Sequence, residues 1–308
     1  MKNFINISDH SSNDLRAIID EAKSRKLKRK GFNKSAPDED KPFDGKSLAM
    51  IFEKPSTRTR MSFDIAVKQL GGSSITLNPD GIHYGKGDES LKDTAKVLTE
   101  YVDIVMLRTS SHKNLEEFGK YLDIPIINGL SDIGHPCQIM SDILTYEESN
   151  GNIEGKTVSW LGDGNNNMSN SLIEAAGKFK FNLSIACPKK YSPNKIILSW
   201  AKKNKVNLVV TTKPEEAVKN SDCVMTDKWV SMNDKVNKKT KKKILKPFQV
   251  NKKLMSKANS DAIFMHCLPV GRGEEVTDEV IDGKQSVVWR QALNRVHAQK
   301  SIIKWCLD

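Results

Sequence analysis

Ser56-Thr57-Arg58-Thr59-Arg60 is the stretch on which the reading of this chain turns. It follows an apolar run, Ser47-Leu48-Ala49-Met50-Ile51-Phe52, that reads as a buried strand. After it, Phe63, Ala66, Val67 and Leu70 fall on one face of a helix, and Gly71-Gly72 supplies the stop. The five polar residues therefore stand where a strand becomes a helix. Free backbone N–H groups and the positive end of the helix dipole meet there. Three hydroxyls and two guanidinium groups crowd the same junction, and the planar fork of arginine binds two oxygens at once. This is the composition of a site for a phosphate-sized dianion. No Gly-x4-Gly-Lys-[Ser/Thr] pattern occurs, so nucleoside triphosphate binding of the P-loop kind is not indicated.

Working outward, helical patterns alternate with short apolar strands. The strands are expected at Leu48–Phe52, Ser74–Leu77, Ile104–Leu107, Ile124–Ile127, Thr157–Leu161, Leu183–Ala186, Leu208–Thr211, Cys223–Met225 and Ala262–Cys267. Helices are expected between them, among others at Leu91–Tyr101, Leu115–Leu122, Gln138–Glu148 and Asn194–Lys203. Such alternation predicts an α/β protein with parallel sheets covered by helices. A chain of 308 residues accommodates two domains. Glu148-Ser149-Asn150-Gly151-Asn152 is the expected linker, and Val287–Asp308 is a long amphipathic pattern able to dock on either half.

Composition narrows the function. No apolar run reaches the length of a membrane span, and the N-terminus lacks the hydrophobic centre of a secretory signal. Five cysteines without CxxC spacing point to reduced thiols in the cytoplasm, not to a zinc or disulfide framework. The net charge of +11 is mostly lysine. Its densest run, Lys238-Lys239-Thr240-Lys241-Lys242-Lys243, has no interleaved aromatics and no nucleic-acid recognition motif beside it. The run reads as a solvated helix face, with no nucleic-acid partner.

Several polar loops fall at expected carboxyl ends of strands, where open α/β sheets bind ligands. They are Arg108, His135-Pro136-Cys137-Gln138, Gly162-Asp163-Gly164-Asn165-Asn166-Asn167, Asp227 with Ser231-Met232, and His266-Cys267-Leu268-Pro269. Each alone has a structural explanation, whereas five at equivalent positions point together to a site.

Ser-Thr-Arg-Thr-Arg with His-Pro-x-Gln resembles the carbamoyltransferase superfamily. Asp227-x-x-x-Ser231-Met232 and His266-Cys267-Leu268-Pro269 resemble its ornithine branch, and the aspartate branch is expected to carry Pro in place of Cys267. The resemblance spans essentially the whole chain. It implies two Rossmann-like α/β domains, at residues 1–148 for carbamoyl phosphate and 149–286 for ornithine, with the C-terminal helix at about 287–308 returning to the first. It implies a homotrimer, and neither metal nor organic cofactor. Carried over by residue, Ser56, Thr57, Arg58 and Thr59 hold the phosphate. Arg108 and His135 bond the carbonyl oxygen, while Gln138 and the backbone near Cys267 and Leu268 bind the carbamoyl NH2. Arg295 is a further carbamoyl phosphate contact. Asn166, Asp227, Ser231 and Met232 bind the ornithine carboxylate and α-amino group, and Asp227 and Cys267 lie near the attacking amine. Arg58, Arg108, His135, Asp227 and Cys267 are thus the expected catalytic set. Two positions depart from the pattern. His83 stands where Gln is usual in a loop that binds carbamoyl phosphate from a neighbouring subunit, and Asn233 replaces the Gly after Ser-Met. Related enzymes using putrescine or an N-acylated ornithine are the alternative.

Overall fold

The computed structural model describes residues 2–77, 89–230 and 237–308. Its elements group into two compact units, Met1–Ser141 with Leu293–Asp308, and Asp142–Ala292. Each is built on one all-parallel sheet.

In the first unit the strands are β1 (Ser47–Phe52), β2 (Ser73–Leu77), β3 (Ile104–Arg108) and β4 (Ile126–Leu130), in the order β2-β1-β3-β4. Leu48 to Phe52 are all buried, as a parallel strand covered on both faces requires. Its helices are α1 (Ser12–Lys28), α2 (Thr57–Gln69), α3 (Leu91–Tyr101) and α4 (His112–Tyr121), and the start of α5 (Pro136–Asn150). One core gathers Ala49, Ile51, Leu98, Val105, Leu107, Leu115, Phe118 and Ile126.

β4 begins two residues later than the apolar run suggests. Pro125 has no N–H to give the ladder and serves only as acceptor, from the Val105 N–H at 2.9 Å. β4 then carries a bulge. Leu107 pairs with Asn128 and Arg108 with Leu130, so Gly129 is skipped. A Cβ on Gly129 would lie 2.2 Å from Met106 Sδ, so any other residue would push the Met106 side chain aside. The bulge sits beside Arg108, a usual place for a device that re-aims a side chain.

The second unit has β5 (Thr157–Leu161), β6 (Asn182–Ala186), β7 (Leu208–Thr211), β8 (Cys223–Thr226) and β9 (Ile263–His266), in the order β7-β6-β5-β8-β9. Its helices are α6 (Asn167–Phe179), α7 (Lys195–Lys203), α8 (Pro214–Val218), α9 (Lys238–Leu245), α10 (Lys252–Met255) and α11 (Asp278–Ile281). A core of Leu161, Ala186, Val218, Val224, Phe248, Phe264 and Ile281 lies beneath.

The residues expected as a linker are the last turn of α5 and the turn after it, where Gly151 takes φ +76°. The terminal helix α12 runs Val288–Leu307, and from Leu293 it groups with the first unit. There, buried Lys300 donates to Asp38 at 2.6 Å and to Gln69 at 3.1 Å. Among the described residues no helix is long and apolar enough to cross a membrane.

Candidate active site

In each sheet the chain reverses its direction of travel once, between β1 and β3 in the first and between β5 and β8 in the second. The crevice beyond such a switch point is where open α/β sheets bind ligands. Of the described residues singled out from sequence, all but Arg295 on α12 close or follow β1, β3, β4, β5, β8 or β9.

In the first unit Ser56 is the N-cap of α2, in extended conformation and with no side-chain cap bond. The first turn of α2 holds no acid, whereas those of α1 and α3 hold Asp14 and Asp93. The positive pole of α2 is thus left without an acidic side chain to offset it. Thr59 is buried, and its Oγ1 accepts from Arg295 Nη2 at 2.9 Å and from Arg108 Nη1 at 3.3 Å. Arg295 Nη1 also donates to Gln138 Oε1. Residues 59, 108, 138 and 295 thereby meet, although α2, β3, α5 and α12 supply one each. Arg60 is exposed and takes no part in these bonds.

His135 is buried just before α5. Burial, and then the positive charges of Arg295, Arg108 and Arg58, hold its pKa well below the ordinary 6.5. It is therefore a neutral imidazole at physiological pH, facing three guanidinium groups. Neighbouring Cys137 is inert: burial pushes its thiol up to about 12.

In the second unit Asp227 follows β8 and Cys267 follows β9. The Cys267 thiol donates to Asp227 Oδ1 at 3.0 Å. Leu268 sits at φ +59°, and the Leu268–Pro269 bond is cis. A left-handed leucine costs about 1–2 kcal/mol, so its surroundings must impose it. Asn166 caps α6, its Oδ1 accepting the Ser169 N–H at 2.8 Å, which leaves its NH2 outside the cap.

Ligating atoms of Asp227, His266 and Cys267 lie within 4.8 Å of one another. The Cys267 thiol is committed to Asp227, and the two ring nitrogens of His266 are engaged by the Leu268 N–H and by Glu275.

His83, Ser231, Met232 and Asn233 lie outside the described residues. The lysine run needs a correction. Lys238, Lys239 and Lys243 are exposed, but Lys241 is buried, 2.6 Å from Asp163 Oδ2 and 5.2 Å from the centre of the Tyr191 ring. Asp163 Oδ1 in turn accepts the Asn165 N–H at 2.9 Å, bracing the turn that leads to Asn166. The spacing of Lys241 four before buried Leu245 was the available signal. Glu275 and Lys300 were also missed.

Residues 2–148 match the family described as aspartate/ornithine carbamoyltransferase, carbamoyl-P binding domain, and residues 154–306 match its Asp/Orn binding domain. Ornithine carbamoyltransferase of Brucella suis is 50% identical over 308 residues, covering 100% of this chain and 96% of its own. That of Nitrobacter winogradskyi is 50% identical over 306 residues, covering 99% and 97%. Among solved structures, ornithine carbamoyltransferase of Pyrococcus furiosus is 42% identical with a TM-score of 0.91, covering 98% of this chain and 96% of that one. The anabolic enzyme of Campylobacter jejuni is 36% identical, also with a TM-score of 0.91, covering 99% of each. The chain belongs to the aspartate/ornithine carbamoyltransferase family. Within it, the relatives that match at full length are ornithine carbamoyltransferases, and the chain is an enzyme of that branch.

Proposed function

We infer that this chain transfers the carbamoyl group of carbamoyl phosphate to the δ-amine of L-ornithine, giving L-citrulline and phosphate. The observation that carries the site assignment is the convergence of Arg108 and Arg295 on Thr59, beside neutral His135 and the uncompensated end of α2.

The chemistry follows from where charge grows. A neutral amine attacks the carbamoyl carbon, and negative charge builds on the carbonyl oxygen. Arg108, the Thr59 hydroxyl and an N–H of His135 are donors for that oxygen. Since His135 is neutral, it donates without a proton to lose. The C–O bond to phosphate then breaks as the attacking nitrogen gives up one proton to the departing phosphate, and the resulting hydrogen phosphate dianion is held by Arg58, the hydroxyls of Ser56, Thr57 and Thr59, and the backbone N–H groups that open α2. Gln138 Oε1 accepts from Arg295, and the Gln138 side chain is assigned to the carbamoyl NH2. Arg295 thus orients Gln138 as well as Thr59.

The second unit supplies the amine's contacts. Asp227 and the NH2 of Asn166, with Ser231 and Met232, are assigned to the α-amino and carboxylate groups of ornithine. Asp227 and Cys267 are assigned to the attacking end, and the backbone of Cys267 and Leu268 to the carbamoyl NH2. Putrescine has neither α-group, so an Asn166–Asp227 pair favours ornithine over it.

We further infer a homotrimer acting in the cytoplasm in arginine biosynthesis. The exposure of Met61 on α2 and Ile75 on edge strand β2 supports a subunit contact there, and the absence of disulfides among the five cysteines supports a reducing compartment. The functional test offers ornithine, putrescine, N-acetylornithine and aspartate in parallel with carbamoyl phosphate. Preference for ornithine is expected. Preference for another amine would overturn the substrate assignment and leave the phosphate site standing.

A further inference from the structure

His266 ends β9 and is fully buried, and so is Glu275, nine residues on. The backbone N–H of Leu268 donates to His266 Nδ1 at 2.8 Å. A ring nitrogen that accepts carries no hydrogen, so the ring hydrogen belongs on Nε2. Nε2 lies 3.2 Å from Glu275 Oε1. The same oxygen accepts the backbone N–H of Gly271. Glu275 is itself fixed, because its carbonyl accepts the Val250 N–H at 2.9 Å. The fit is close enough that a Cβ on Gly271 would lie 2.7 Å from Glu275 Oε2. On the other side, the His266 N–H donates to Gln291 Oε1 at 2.9 Å.

One carboxylate oxygen therefore governs both ends of the 267–271 loop. It takes the Gly271 amide directly, and through the imidazole it sets which ring nitrogen is free to take the Leu268 amide. Between these points stand Cys267, bonded to Asp227, and Leu268 in its left-handed conformation. Nothing local favours that conformation in a leucine; the two anchored amides, with the packing of Leu268 against the core of the second unit, hold it.

We propose that Glu275 is a positioning residue for carbamoyl transfer. It locks His266 in the Nε2–H tautomer, and the locked ring holds the Cys267–Leu268 backbone in its working direction. The catalytic part rests on the reading of Cys267 and Leu268 as substrate-facing residues. The lock itself stands on hydrogen bonds within the second unit.

The test compares the full-length parent with Glu275→Gln and Glu275→Met, by ring-15N-histidine NMR and by citrulline formation. The parent is expected to show His266 only as the Nε2–H species. Both bonds fall on Oε1, so Gln keeps the acceptor, and that variant is expected to keep the tautomer and most of kcat. Met has no acceptor. It is expected to give a mixture of ring forms and a kcat lower by about 10–100-fold, with a smaller rise in KM for carbamoyl phosphate, whose phosphate contacts in the first unit are untouched. An Nδ1–H tautomer in the parent would overturn the proposal, as would full kcat in the Met variant or an equal loss in both variants. The parent's tautomer decides the lock even if the Met variant fails to fold. A parent that shows Nε2–H but makes no citrulline would overturn the substrate reading on which this rests while upholding the lock.

Discussion

Replacing Arg108 by Met removes one guanidinium and keeps most of the side-chain volume. Arg108 closes β3, beside the bulge at Gly129, and reaches Thr59 Oγ1 at 3.3 Å. Its bond to Thr59 is long, and Arg295 still donates to that hydroxyl at 2.9 Å, so Thr59 keeps a charged donor in the variant. Three like charges, those of Arg58, Arg108 and Arg295, act together on His135, and the variant keeps two of them. The transition state loses a charged donor to the carbonyl oxygen in a site shielded from water. Deleting one such donor costs about 2.7–4 kcal/mol, or about 100–1,000-fold in kcat. The assay is steady-state citrulline formation, with a urea titration of the same preparation. Near-normal turnover in a folded Arg108→Met protein would refute the electrostatic argument. The urea titration separates lost chemistry from lost fold, and a kcat that falls only in step with the folded fraction would also refute it.

Lys241→Met should raise KM for ornithine while leaving KM for carbamoyl phosphate in place, because it strips buried Asp163 of the ammonium 2.6 Å away, and Asp163 braces the turn before Asn166. Breaking a buried pair on one side also costs about 3–5 kcal/mol of stability, readable as a lower urea midpoint; an unchanged KM for ornithine would count against the link. Burial and neighbouring cations hold His135 well below 6.5 and His297 at about 3. Below pH 6.5 the unfolded chain takes up these protons and the folded chain does not, so stability falls with pH, by up to about 1.36 kcal/mol per unit for each histidine. Urea midpoints that stay level from pH 7 to 5 would contradict this. Inorganic phosphate should raise the melting temperature more than chloride at equal ionic strength, by the equivalent of about 2.7 kcal/mol at 100 times its Kd. Arg58→Gly should remove most of that gain, and a gain that survives would move the anion elsewhere.

The fold was legible because a buried parallel strand is a continuous apolar run, and all nine expected strands appear near their predicted places. Where boundaries moved, a single residue explains it. Ile124 looked like strand, yet Pro125 cannot donate, so β4 starts at Ile126. Glu148–Asn150 looked like linker because the residues are polar, yet polar residues also finish an exposed helix end, and α5 runs on until Gly151 turns the chain.

The site divides along a different line. Residues assigned to substrates were legible because their types are out of place at strand ends: an arginine after Ile-Val-Met-Leu, or a histidine before Pro-Cys-Gln. Residues that hold those residues were not. Lys241 reads as one lysine in a run of six basic and hydroxyl residues, and its partner Asp163 lies 78 positions earlier, as the numbers of the two residues show. Glu275 reads as surface acid after Gly-Arg-Gly-Glu. Its burial follows from the pairing of Val250 with Val276, which no local pattern encodes. Arg295 shows the intermediate case. It matches a motif, but that it grips both Thr59 and Gln138, 236 and 157 positions away, appears only when α12 lies against the first sheet's helices. A contacting residue must have the right chemistry for its ligand, and chemistry is written in the residue type. A supporting residue needs only the right chemistry for its neighbour, and in this chain the neighbour is chosen by the fold.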